Sequence, residues 1–231
     1  MMKYEKSIKY FLFLALIWIS SITIAQNKVN AGNYNFIENK KIYKMISFGD
    51  KIDFGNIDAA VRWTIINSKQ GINLTLSGNQ INNYSFDEPG EYEILFLETK
   101  GLNDECSHAM FPAKMIIQVS PVKLSFDFSK IKLSEKLVKG KNYTDLIITV
   151  PTKITVKDNS IATLLTPGMT ISGVGVSLVA VALNSDVTVK DGIQLLKYKV
   201  SGLINKDTYV MFDFYDFSNQ VQTYNLSQII N

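Results

Sequence analysis

Leu196-Lys197-Tyr198-Lys199-Val200-Ser201 alternates apolar and polar side chains at every step. Successive side chains of a β-strand leave opposite faces, so Leu196, Tyr198 and Val200 are expected in a core and Lys197, Lys199 and Ser201 in solvent. Working outward, the same period sets Leu124, Phe126 and Phe128 against Ser125, Asp127 and Ser129, and Ile154 and Val156 against Thr155 and Lys157. Turn formers punctuate these segments at short intervals, among them Gly49-Asp50, Gly78-Asn79, Pro89-Gly90, Asp158-Asn159, Pro167-Gly168 and Asp191-Gly192. Little room is left for helices, and the expected fold class is all-β.

Val174 to Leu183 departs from the pattern. Val174, Val176, Leu178 and Ala180 occupy one face, while Val179, Val181 and Leu183 occupy the other. A strand apolar on both faces has to be covered twice. The reading it suggests first is the central strand of a sheet, its outer face under a loop or a second domain. The alternatives are a docking face for a partner, carried by Val174, Val176, Val179 and Val181, or insertion in a membrane. A transmembrane barrel requires many such strands, and only this one qualifies.

The chain opens with Lys3, Lys6 and Lys9, an unbroken apolar run from Tyr10 to Ile19, and Thr23-Ile24-Ala25 before Gln26. That order is the pattern of an export signal spanning residues 1–25, cleaved after Ala25. The alternative, a retained membrane anchor, needs about 20 predominantly apolar residues, and Ser20, Ser21 and Thr23 interrupt the run too early. The expected location is the periplasm or the cell surface, with no transmembrane segment in the mature chain. Cleavage removes three lysines and Glu5, so the net charge falls from +3 to +1. Neither nucleic acid nor an anionic membrane is the expected partner of so balanced a chain, because both demand clustered positive charge. Cys106 is the single cysteine, which excludes an intramolecular disulfide and leaves stability to packing.

The remaining 206 residues, 231 less the 25 of the signal, suit two β-sandwiches of about 100 residues each. Residues 26–42, rich in Asn and Lys, read as a leader, residues 43–120 as the first domain and residues 121–231 as the second. The division falls at Pro121, which removes a ladder donor between Met115-Ile116-Ile117-Gln118-Val119 and the run opening at Val122.

Within the first domain, Phe86-Asp87-Glu88-Pro89-Gly90-Glu91-Tyr92-Glu93-Ile94 resembles the F-x-x-P-G-x-Y-x-V signature of PKD-type and related immunoglobulin-like domains of secreted bacterial surface proteins. The physics of the segment agrees: Pro89-Gly90 forms a tight turn and the residues from Glu91 form a strand. The resemblance implies a tyrosine corner at Tyr92 and a buried tryptophan at Trp63, in Val61-Arg62-Trp63-Thr64-Ile65. It covers roughly Tyr43 to Val119. The acidic-glycine turn that usually follows the tryptophan strand is missing, as are paired cysteines. For the second domain no family motif is found.

Residues able to do chemistry are few. His108 is the single histidine, which removes two-histidine metal sites and most nucleophile–base designs. Cys106-Ser107-His108 brings a thiol and an imidazole close together, but catalytic partners normally come from separate elements, and a loop without chemistry is expected. Asp213 and Asp216, in Phe212-Asp213-Phe214-Tyr215-Asp216-Phe217, are the carboxylate pair that would suit glycoside chemistry, yet a spacing of three puts them on opposite faces of a strand. Asp50, Asp53, Asp58 and Asp87-Glu88 lie at turns without a calcium-loop pattern, and Gly173-Val174-Gly175 lacks the helix and Lys-Ser/Thr of a phosphate loop. No catalytic residue, metal or cofactor is expected. The function this predicts is a non-enzymatic binding or scaffolding module whose partner is an envelope or surface protein. The alternatives are a surface-polymer subunit that donates the leader as a strand, and a glycan-binding protein using Tyr209 and Tyr215.

Overall fold

The computed structural model describes residues 42–98, 111–226 and 229–231. The expected signal peptide, the leader before Ile42, and Cys106 and His108 lie outside the described residues. The described residues belong to one compact unit. It is all-β, with short 3-10 turns and no α-helix among the described residues.

Five strands build the first sheet: β1 (Ile42–Ser47), β2 (Val61–Asn67), β3 (Ile72–Ser77), β4 (Gly90–Glu98) and β5 (Lys114–Ser120). Their order is β1-β5-β4-β2-β3, antiparallel except for the parallel β1–β5 pair. Its core side carries Ile46, Trp63, Ile65, Tyr92, Ile94, Ile117 and Val119. The layer over that side is not a second sheet. Ile52, Phe54 and Ile57 from the connection after β1, Ile81 from a 3-10 turn, and Phe86 fill it, with one isolated antiparallel bridge between Asp50 and Phe86.

β5 ends at Ser120 and β6 (Val122–Phe126) begins two residues later. The chain continues through β7 (Lys132–Leu133), β8 (Asn142–Val156), β9 (Thr163–Leu165), β10 (Met169–Ser172), β11 (Val176–Ala182), β12 (Asp186–Thr188), β13 (Gly192–Ile204), β14 (Met211–Tyr215) and β15 (Val221–Asn225). The long strands β8 and β13 pair with each other, flanked by β11 on one side and by β6 and β7 on the other. A second sheet has the order β10-β14-β15, and β9 pairs with β12. Alternate residues of the two larger sheets, including Leu124, Ile148, Val150, Leu196, Tyr198 and Val200 from one and Phe212 and Phe214 from the other, form a single buried cluster. The inward set of the alternating stretch that predicts the fold is in that core, and Lys197, Lys199 and Ser201 are exposed.

Two local departures from simple alternation have physical causes. Phe128 lies in a 3-10 turn rather than on β6, because the Asp127 side chain accepts from Ser129 N–H at 3.2 Å and curls the chain. Its ring still stacks on Phe126 and meets Phe214. Pro151 sits inside β8, normally hostile to proline. Its carbonyl accepts from Asp127 N–H at 2.8 Å, so its missing N–H lies on that same side, between the stretches paired with β7 and with β6. No ladder bond is lost there.

The reading of Val174–Leu183 as a central strand is corrected by the structure. β11 pairs with β13 alone and terminates its sheet. Leu178 faces the core, but Val179 and Val181 are each 63% exposed. Valine suits a pleated surface whether covered or not, so the two-sided apolar pattern fits an edge strand as well as a central one.

Candidate functional site

The residues that carry the resemblance gather in the first core. Trp63 is fully buried, and its indole N–H donates to Gly78 O at 3.0 Å. Phe54, Phe96 and Phe111 surround the ring with centroids between 5.1 and 5.5 Å away. Phe86 is also buried and packs edge-on against Tyr84 and Tyr92. The Tyr92 hydroxyl donates back to Glu88 O at 3.0 Å, across the turn formed by Pro89 and Gly90. Gly90 opens β4 with φ +126°, which a residue with a Cβ rarely adopts. Burial pushes the Tyr92 hydroxyl above its ordinary pKa. These five residues are packing and turn elements, with Trp63, Phe86 and Tyr92 buried in the core.

The carboxylates named from sequence separate into local tasks. Asp53 accepts from Gly55 N–H and Asp58 from Ala60 N–H, each closing a turn. Asp87 accepts from the Ser85 hydroxyl, and Glu88 lies 3.4 Å from Lys157 Nζ. Asp213 faces outward from β14 and accepts from the Thr223 hydroxyl at 2.6 Å. Asp216 is buried in the next turn and accepts from Ser218 and Gln220 N–H, both at 2.8 Å. Burial pushes its carboxyl above the ordinary value and nearby Asp50 adds to this, while the two N–H donors and Lys123 oppose it. Asp213 and Asp216 therefore do not form a catalytic pair across a cleft. No three His, Cys, Asp or Glu side chains among the described residues gather where they could hold a metal ion.

A polar junction invisible from sequence surrounds Asp50. It accepts from Lys123 Nζ at 2.7 Å, from Gln220 Nε2 at 3.1 Å and from Ser47 N–H at 3.0 Å. The Ser47 and Ser218 hydroxyls meet at 3.3 Å in a buried position. The turn after β14 is thereby bound to the loop after β1.

Gly173 and Gly175 shape the corner leading from β10 into β11. A Cβ on Gly173 would lie 2.5 Å from Tyr209 O, and one on Gly175 would lie 2.3 Å from Asn205 Oδ1. Close approach of the Tyr209 backbone accounts for Gly173, and Gly175 has φ +73°, which a residue with a Cβ rarely adopts. Tyr209 precedes β14 and is exposed, whereas Tyr215 ends β14 half-buried, its hydroxyl 3.5 Å from Thr170 Oγ1. The two rings are separated by the length of that strand and do not form one platform.

The surface with unmet chemistry is the outer face of the β11–β13–β8 sheet. Of the four valines named from sequence, Val176 packs against the core, Val174 lies in the turn before β11, and Val179 and Val181 point outward. The sequence reading missed Ile193 and Leu195, which join them at 76% and 55% exposure. Their signal was visible, since Ile193-Gln194-Leu195 begins an alternation whose apolar phase slips at Leu195-Leu196. Val181 pairs with Lys199, which pairs with Ile147, and Leu195 pairs with Pro151. A cleft of about 420 Å³ continues this surface between the Ser129–Lys132 turn and Thr149, Pro151 and Leu195. Four lysines, Lys132, Lys153, Lys197 and Lys199, interleave the apolar side chains and all are exposed. Lys199 pairs with Asp145 at 2.6 Å, while Lys132, Lys153 and Lys197 take part in none of the ion pairs among the described residues. Leu183 N–H donates to Lys197 O, so in β11 the alternate residues Leu178, Ala180 and Ala182 turn their backbone groups away from β13, to the edge beside which β10 runs.

Fold and surface together define an all-β protein with an uncovered apolar and cationic sheet face. No helix among the described residues is long and apolar enough to cross a membrane. No protein-family model, curated protein or solved structure matches the chain.

Proposed function

We propose that this chain is an exported, non-enzymatic all-β binding module, immunoglobulin-like in the motif and corner of its first sheet, which holds an envelope or surface protein through the outer face of β11, β13 and β8. The observation that carries this reading is the exposure of Val179, Val181, Ile193 and Leu195 on one side of one sheet. Exposed apolar surface of this kind marks interaction sites, because its burial is worth about 25 cal/mol per Å². The immunoglobulin-like part rests on the Phe86–Ile94 motif, the Tyr92–Glu88 hydrogen bond, the buried Trp63 and the parallel pairing of β1 with β5. The exported location rests on residues 1–25 of the sequence.

Retention of the mature protein on its own envelope fraction tests the reading. Val179→Asp combined with Val181→Asp alters only exposed side chains, so folding measured by circular dichroism stays unchanged while retention falls at least tenfold. Undiminished retention by this folded variant removes the face from the function.

A further inference from the structure

We infer that the occupant of this face is an acidic amphipathic helix of a partner protein, about three to four turns long, docked along β13. This inference rests on the contact role proposed above and adds the occupant's shape and charge.

Shape comes from the width of the patch. Its apolar side chains come from three adjacent strands at successive levels: Val181 on β11 lies level with Ile147 on β8 through Lys199 of β13, and Leu195 on β13 lies level with Pro151 on β8, past the end of β11. Three strands spaced about 4.8 Å apart span about 10 Å, the diameter of an α-helix with its side chains. From Ile193 to Lys199 the face runs six residues, or about 20 Å, the length of a helix of about 13 residues. A strand added beyond β11, where β10 already lies close, would stand about 10 Å from β13, leaving Ile193, Leu195 and the lysines uncovered.

Charge selects the partner. Four lysines face one aspartate, Asp145, so the surface complements carboxylates placed beside an aliphatic stripe. The leader of a second copy fits poorly, since Lys28, Lys40 and Lys41 outnumber Glu38 there. A second copy docking face to face would oppose lysine to lysine. The apolar residues are aliphatic, without the Trp and Phe that typify shallow membrane insertion.

The probe is a stapled 14-residue helix with Leu at i, i+3, i+4 and i+7 and Glu at the other positions, compared with the same helix carrying Lys for Glu. Fluorescence anisotropy against the mature protein is expected to show the Glu helix binding at least tenfold more tightly, less so at high salt. Leu195→Asp weakens it tenfold or more. Lys197→Glu combined with Lys132→Glu reverses the preference, and Val221→Asp, on the outer face of the β10–β14–β15 sheet, leaves binding unchanged. Circular dichroism of each variant confirms that it folds. Equal binding of both helices, lost in Leu195→Asp, overturns the acidic occupant and leaves the contact face standing. No binding of either helix, or binding indifferent to Leu195→Asp, overturns the inference, and retention on the envelope then reports separately on the face. Binding to phosphatidylserine-containing vesicles, tighter than to the Glu helix and lost in Leu195→Asp, replaces the helix by a membrane surface.

Discussion

Lys123 Nζ lies 2.7 Å from Asp50 Oδ1, joining the second residue of β6 to the loop after β1 across 73 residues of sequence. Gln220 reaches the other oxygen of the same carboxylate, so one aspartate gathers three separate parts of the chain. The Asp50→Ala variant is expected to lose about 1–3 kcal/mol of stability, because Ser47 N–H and Gln220 lose their acceptor together with the lysine. A double-mutant cycle with Lys123→Ala, read by urea denaturation, should return a coupling of about 1 kcal/mol, modest because both side chains keep some solvent contact. Additive effects of the two substitutions would show that the ion pair contributes nothing.

The Asp216 carboxyl makes this junction sensitive to pH. Its native pKa is raised, first by burial and also by Asp50. A carboxyl whose native value exceeds its unfolded value binds the proton more tightly when folded. Stability therefore falls as pH rises from the ordinary carboxylate range to the raised native value, and levels off above it. Asp216→Asn keeps an oxygen acceptor for Ser218 and Gln220 while removing the charge. Denaturation midpoints measured from pH 4 to 7.5 should show the Asn variant gaining on the native protein with rising pH, then running parallel to it. A constant difference throughout that range would contradict the shift.

Trp63→Phe keeps most of the ring packing but leaves Gly78 O without its donor, at an expected cost of about 1–3 kcal/mol. Trp63→Ala opens a cavity among Phe54, Phe96 and Phe111 and should cost about 3–5 kcal/mol. Guanidinium denaturation followed by circular dichroism measures both. Equal losses would mean that the hydrogen bond, rather than packing, anchors this core.

Gly202 lies at the irregularity where β13 shifts register against β8, with φ +122°. A Cβ there would lie 2.0 Å from Ser177 O on β11. Gly202→Ala should destabilise the protein by about 3 kcal/mol or more, through backbone strain and loss of β11 pairing. An amide-exchange measurement should show the protection of Leu203 and Ser177 falling before that of the first sheet.

The strands were legible where one face meets the core and the other meets water, as in Leu196–Ser201, because burial imposes its period directly on the side chains. The layer formed by Ile52, Phe54, Ile57 and Ile81 was not, since irregular backbone leaves no period to read. Whether β11 lay at the centre or the edge of its sheet was equally hidden, because Val179 and Val181 look the same in sequence whether something covers them or not. The Asp50 junction depends on partners 73 and 170 residues away, brought together only by the finished fold. The outward phase of Ile193 and Leu195 was readable from the slip at Leu195-Leu196, but their place beside Pro151 and Lys153 follows from the β13–β8 register, which no local pattern specifies.

The parallel alignment of β1 with β5, in register from Lys44 opposite Ile117 to Ser47 opposite Ser120 after an irregularity at Ile42, has a mechanical consequence. Tension that draws Ile42 backward and Ser120 forward slides the two strands lengthwise, so every rung of their ladder bears the load at once. A hairpin pulled from its open end would instead unzip rung by rung. The first sheet is thus braced against traction applied between the start of β1 and the end of β5.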